Sequence, residues 1–206
     1  MEQATDKKSD LAPHMRNRFV ILITCLSYLT LYFMKVLLYF DCLKSFIVIY
    51  CPNDSGIIES TFSTHAVARE LCSVQSRLHK GYIKSVPCYK SIQKLGIPSQ
   101  CGQKAETVYN GYLQDANEDY DVLEDSDRNR HRYCIEEAYK MACISQNIFE
   151  VCDEAAQNTF DELIVKSKAL RRVCTQANIV ELRTDFIDFL FIDEEDEDHL
   201  RTFFDF

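Results

Sequence analysis

Nine cysteines hold most of the chemistry this chain can offer: Cys42, Cys51, Cys72, Cys88, Cys101, Cys134, Cys143, Cys152 and Cys174. A tenth, Cys25, lies upstream in an apolar stretch. A cysteine can cross-link, ligate zinc or attack an electrophile. Structural zinc asks for short ligand pairs such as C-x-x-C or H-x-x-x-H. Here the closest cysteines (42 and 51, 134 and 143, 143 and 152) are each nine residues apart, so no metal site is expected. Cysteines this dense in a small domain belong to an oxidising compartment, where they form disulfides. All nine are therefore disulfide candidates, and the pair expected first is Cys88–Cys101, closing the turn around Gly96 and Pro98. Nine is also an odd number. If residues 19–40 remain in a bilayer, Cys25 cannot join the set, and one cysteine is left as a thiol or as a bridge to a second chain. Cys42, the nearest to the membrane, is the expected one, which would give a disulfide-linked dimer.

Other chemistry is weaker. His131 precedes Cys134, and a Cys/His nucleophile can be drawn; a cysteine among eight others in an exported domain is far more often cross-linked. Asp115, Asn117, Asp119 and Asp121 alternate as in a calcium-binding EF-hand. That loop needs Gly at its sixth position and a bidentate Glu at its twelfth, where this chain has Tyr120 and Ser126. The segment is read as a solvated acidic loop. No nucleophile elbow, zinc-protease helix, phosphate loop or dinucleotide fingerprint occurs. The carboxylate pairs Glu136/Glu137 and Asp153/Glu154 are expected at helix starts, where they complement the macrodipole. No catalytic residue and no cofactor is expected. Asn53-Asp54-Ser55 is a glycosylation sequon, which agrees with the cysteines about compartment.

The positioning elements follow from apolar periodicity. Residues 1–18 are polar and read as a disordered cytosolic N-terminus. Residues 19–40 carry one charge, Lys35. A helix of that length spans about 33 Å, enough for a hydrocarbon core of roughly 30 Å. Lys7, Lys8, Arg16 and Arg18 precede it, so the positive-inside rule sends the remainder across. An uncleaved signal-anchor is favoured over a cleaved signal peptide, and both over a buried core helix, because residues 19–40 contain no Ala, Gly or Pro and offer only Cys25-Leu26-Ser27 as a weak cleavage site. Both deliver residues 41–206 to the same, extracytoplasmic side, as a single-pass membrane protein or a secreted one.

Residues 41–176 read as a cysteine-rich, all-α bundle of about five short helices, stapled by disulfides and preceded by the one apolar membrane or signal helix. Asp41–Cys51 suits a short first helix. Thr61 or Ser63 can cap a helix bearing Val67, Leu71, Val74 and Leu78, and a segment after Gly81 ends before Gly96. A third helix covers about 103–114. The stretch from Tyr133 to Cys174 supplies two more, the second with a stripe of Ala156, Phe160, Leu163, Ser167, Leu170 and Cys174. Residues 177–206 interleave acidic and aromatic side chains without a clean period and read as a flexible tail.

The runs LCSVQSRLHKGYIKSVPCYKSI (71–92) and RYCIEEAYKMACISQNIFEVC (132–152), with Cys101 and RRVC (171–174), resemble a family of cysteine-rich exported helical proteins of arthropods. The pattern is similar to that of insect haemolymph glycoproteins and of a nematode cysteine-rich domain of unknown function. In the family a Cys-Cys pair often opens the fourth helix; here Tyr133 stands in the first place. The resemblance covers about residues 41–176. It implies a helical fold and export, and carries no catalytic residue onto this chain.

A formal charge of −9 excludes an overall electrostatic footprint for nucleic acid. The expected role is a non-enzymatic extracellular or membrane-tethered interaction domain whose partner is an extracellular protein. The alternative is a secreted carrier of a small hydrophobic ligand, with Phe46, Tyr82, Tyr109, Tyr112, Met141 and Phe160 lining a pocket.

Overall fold

The structure is a computed structural model that describes residues 37–44, 55–116, 125–190, 200 and 204. Among these every regular element is helical. After a helical segment at 37–44 come α1 (Ser55–Cys72), α2 (Arg77–Lys94), α3 (Ile97–Ala116), α4 (Asp125–Val151) and α5 (Glu154–Ser167). A 3₁₀ turn (Ala169–Arg172) leads to α6 (Gln176–Glu181), a π-helical turn (Leu182–Phe186) and a final short turn, α7 (Ile187–Phe189). The all-α, disulfide-stapled bundle expected from the sequence is present. Residues 19–36 lie outside the described part, and no helix among the described residues is long and apolar enough to cross a membrane.

Local chemistry places the breaks. The pattern read as one helix from Val67 to Leu78 is cut after Cys72, and Val74 is exposed in the connection. The cut falls there because Ser76 accepts the backbone N–H of His79 and starts a new helix. Gly81, read as a break, lies inside α2 instead. It marks close packing: a Cβ there would sit 2.8 Å from Thr159 Oγ1 on α5. The Gly96 turn is where the sequence put it, with φ +72°, a left-handed conformation that suits glycine. Asp153 caps α5 through the N–H of Ala156, at 2.7 Å. Lys168, left-handed at φ 49°, ends that helix. Thr175 and Asn178 form a reciprocal capping box on α6.

Helix α4, at 27 residues, is the spine. Helix α3 runs antiparallel to it, since Cys101 meets Cys143 while Tyr109 meets His131. Helix α2 runs antiparallel to α5: Arg77 reaches Glu162, Gly81 faces Thr159 and the Tyr89 hydroxyl donates to Ala156 O. Ser60 and Thr64 of α1 both donate to Ser167 O at 3.4 Å, satisfying a carbonyl left over at the end of α5. The main core joins α3, α4, α5 and the C-terminal turns, and a smaller one gathers Val67, Leu71, Leu78 and Tyr82.

Residues 176–190 correct the reading of 177–206 as a flexible tail. Ile179, Leu182, Phe186 and Ile187 are buried in the main core, and so is Phe204. The π-turn at Leu182–Phe186 adds a residue to one turn and shifts the phase of the apolar stripe, so a 3.6-residue period does not carry through it. Residues 191–199, including the acidic run 193–198, lie outside the described part.

Candidate functional site

Among the described residues the cysteines form three bonds: Cys88–Cys152, Cys101–Cys143 and Cys134–Cys174. The expected pair Cys88–Cys101 is not formed. Cys88 faces the C-terminal end of α4, while Cys101 at the start of α3 meets the middle of that helix. Every bond has one end in α4 or in the residue just beyond it, so the spine is tied to α2, to α3 and to the stretch entering α6. Cys42 is exposed on the 37–44 segment and takes part in none of the three bonds. Cys72 ends α1, partly buried. Cys51 and Asn53 lie outside the described residues.

The bond from Cys134 to Cys174 removes the drawn Cys/His nucleophile. His131 works elsewhere. Its Nε2 lies 2.8 Å from Glu181 Oε1, and its Nδ1 lies 3.2 Å from the Tyr109 hydroxyl. The Tyr112 hydroxyl donates to the same Glu181 oxygen at 2.8 Å. With a proton on Nε2 the ring donates to Glu181 and accepts from Tyr109, a tautomer assigned from these partners. Burial raises the Tyr109 pKa, so its phenol keeps the proton it donates. Tyr109, Tyr112 and His131 are buried, and the Glu181 carboxylate they share is partly exposed. What the array does is fix α6 to α3 and α4 through polar groups that are satisfied only in this register. A helical pattern alone could not find Glu181, because it sits 50 residues from His131.

A second buried histidine, His65 on α1, joins the bundle to the segment leading from residues 19–40. Its Nδ1 accepts from Lys44 Nζ at 3.2 Å, its Nε2 lies 3.5 Å from Asp41, and its ring packs 5.9 Å from that of Phe40. Burial lowers its pKa, Lys44 and Arg69 add to that, and Asp41 opposes. A depressed imidazole pKa stabilises the docked state while the ring is neutral. That stabilisation is complete above the free value of about 6.5 and is lost as pH falls from there through the lower folded value. Hydrogen exchange should therefore show residues 37–44 losing protection between pH 7.5 and 5, and His65→Gln should flatten that dependence. Equal protection at both ends of the range would refute the role given to His65.

Several of the remaining charges are paired. Lys166 bridges Glu70 (2.9 Å) and Glu162 (2.8 Å), Lys168 pairs with Glu59, and Arg132 pairs with Glu106 and Glu136. Glu136 and Glu137 lie inside α4 rather than at its start, because the helix begins at Asp125; they pair at i−4 and i+3 with Arg132 and Lys140. Asp153 and Glu154 do open α5. No group of three metal-ligating side chains is found among the described residues, and residues 117–124 of the acidic loop are not among them.

The aromatics named as pocket lining are core. Tyr109, Tyr112 and Phe160 are buried in the main cluster with Met141 against it, and Tyr82 is buried in the smaller one. Tyr89 joins the two, 5.7 Å from Tyr82 and 6.4 Å from Phe160 between ring centroids. Phe46 is outside the described residues. A shallow, open groove of about 420 Å³ lies between α3 and α4, lined by Gln100, Gln103, Lys104, Thr107, Val108 and Tyr139.

Fold and site together define a class, a helical bundle in which three cross-links among the described residues radiate from one central helix. Comparison with known protein families, with characterised proteins and with solved structures finds no match to this chain.

Proposed function

We propose that the chain is an exported, non-enzymatic, cysteine-rich interaction domain, tethered to a membrane through residues 19–40 or released from it by cleavage. One observation carries the reading: all three disulfides converge on α4, so the bundle depends on cross-links that persist in an oxidising compartment. The sequon at Asn53 and the resemblance to exported arthropod proteins support the same compartment. The buried, hydrogen-bonded His131 array supports a structural use of the histidine three residues before Cys134. Exposed Cys42 suits a disulfide to a second chain. The carrier reading is the weaker one, since Tyr82, Tyr109, Tyr112 and Phe160, which it needs as lining, are buried in the two cores.

The test is expression of the full chain in a secretory host. A glycan-dependent mobility shift lost in Asn53→Gln, with thiols at Cys88, Cys101, Cys134, Cys143, Cys152 and Cys174 unreactive before reduction, is the expected result. Reactive thiols at most of these positions would overturn the reading. Carbonate extraction separates anchor from released form, non-reducing electrophoresis of Cys42→Ser tests the dimer, and native mass spectrometry retaining a lipid would favour the carrier.

A further inference from the structure

Helix α2 is unlike the rest of this acidic chain. Its 18 residues hold Arg77, Lys80, Lys84, Lys90 and Lys94 and no Asp or Glu. Its buried side is Leu78, Tyr82, Ser85 and Ile92. At 100° per residue the four lysines fall on the opposite side, within an arc of about 120°. All four are exposed, with exposed Ile83 and Pro87 between them. Arg77 is taken by Glu162. Lys80, Lys84, Lys90 and Lys94 have no carboxylate partner among the described residues, whereas Arg132, Lys140, Lys166 and Lys168 all do. Acids on the elements packed against α2 include Glu162, held by Arg77 and Lys166, Glu70, held by Lys166, Asp161, which accepts from Ser145, and Asp153 and Glu154 at the start of α5.

We propose that this face of α2 binds a linear sulfated polysaccharide. The four lysines are spread over a rise of about 21 Å along the helix axis from Lys80 to Lys94, an elongated strip that matches a chain with repeated anionic groups better than a single phosphate. Ile83 and Pro87 offer the apolar faces of sugar rings something to lie on. The overall charge of −9 does not prevent this, because at physiological salt charges are screened beyond about 8 Å and the stripe acts locally. The choice of polysaccharide over nucleic acid rests on the export reading above: α2 itself carries Cys88, cross-linked to Cys152, and polyanions outside the cell are chiefly sulfated glycans.

The test uses the full-length chain with its disulfides intact and heparin as the probe. Lys80→Gln, Lys84→Gln, Lys90→Gln and Lys94→Gln together should weaken heparin binding at least tenfold and reduce the slope of log affinity against log salt by about 3. The pair Lys104→Gln and Lys140→Gln, away from the stripe, should leave most of the affinity. Retention of the quadruple variant equal to the parent would overturn the proposal. So would equal binding of desulfated heparin, tighter binding of duplex DNA or of anionic vesicles, or loss of self-association as the only change, which would make a second copy the partner. Thiol state and glycan measured on the same preparation report on export separately, so sulfate-dependent binding by a protein with reduced thiols would sink the compartment and leave the stripe.

Discussion

Replacing Cys134 and Cys174 together with alanine is expected to take away a large part of the stability of the domain. The bond closes a loop of 40 residues, which the chain-entropy model values at about 4 kcal/mol. Cys134 is fully buried beside Ile135, so truncation also leaves a small void in the main core, for about 1 kcal/mol more. Against a stability of about 5–15 kcal/mol for an ordinary domain, that is from about a third of the total to all of it. The same model gives the Cys88–Cys152 bond, with a separation of 64, about the same entropy. Both ends of that bond are only partly buried, so its removal should cost less in packing. The three loops overlap in sequence, and the losses will not add. Urea unfolding followed by circular dichroism, without reductant, measures the order. A Cys134→Ala, Cys174→Ala variant with the parent midpoint would show that the bundle does not need its central staple.

The sequence contained more of this than the pair Cys88–Cys101 used. Cys134, Cys143 and Cys152 are spaced nine apart, and nine residues of α-helix turn through about 180°. Successive cysteines on α4 must therefore face opposite sides, and partners must come from elements flanking it on both. The spacing thus already made this helix the centre, and it argued against spending Cys88 and Cys101 on each other. The division between α1 and α2 was less legible. Leu71 and Leu78 fit one continuous helical stripe because each helix independently points its apolar side at the same small core. Only the cap at Ser76 separates them, and a serine among polar neighbours is a faint signal. The link from His131 to Glu181 was not legible at all: its partners lie on α3, α4 and α6, and nothing local in any of the three demands the others.

Phe186 provides the sharpest contrast between a composition argument and a packing one. Its neighbourhood is acidic and aromatic, which suggests a segment outside the fold. In the structure its ring is fully buried, edge-on to Tyr112 at 5.3 Å and to Tyr139 at 6.4 Å, with Phe189 stacked at 6.3 Å. Tyr112 also holds Glu181, so the apolar and polar attachments of this segment share one residue on α3. Phe186→Ala is expected to cost about 3–5 kcal/mol, the range for a large aromatic removed from a packed core. Some of that loss is edge-to-face geometry worth about 0.5–1.5 kcal/mol per aromatic pair beyond area. Val180→Ala, one helix earlier and exposed, should change stability by less than about 0.5 kcal/mol. Denaturant midpoints of the two variants decide between the readings. If both unfold with the parent, residues 176–190 contribute nothing to the core. If Phe186→Ala alone fails, the segment is the part of the bundle that closes α3 against α4, and deleting residues 177–206 should be more damaging still.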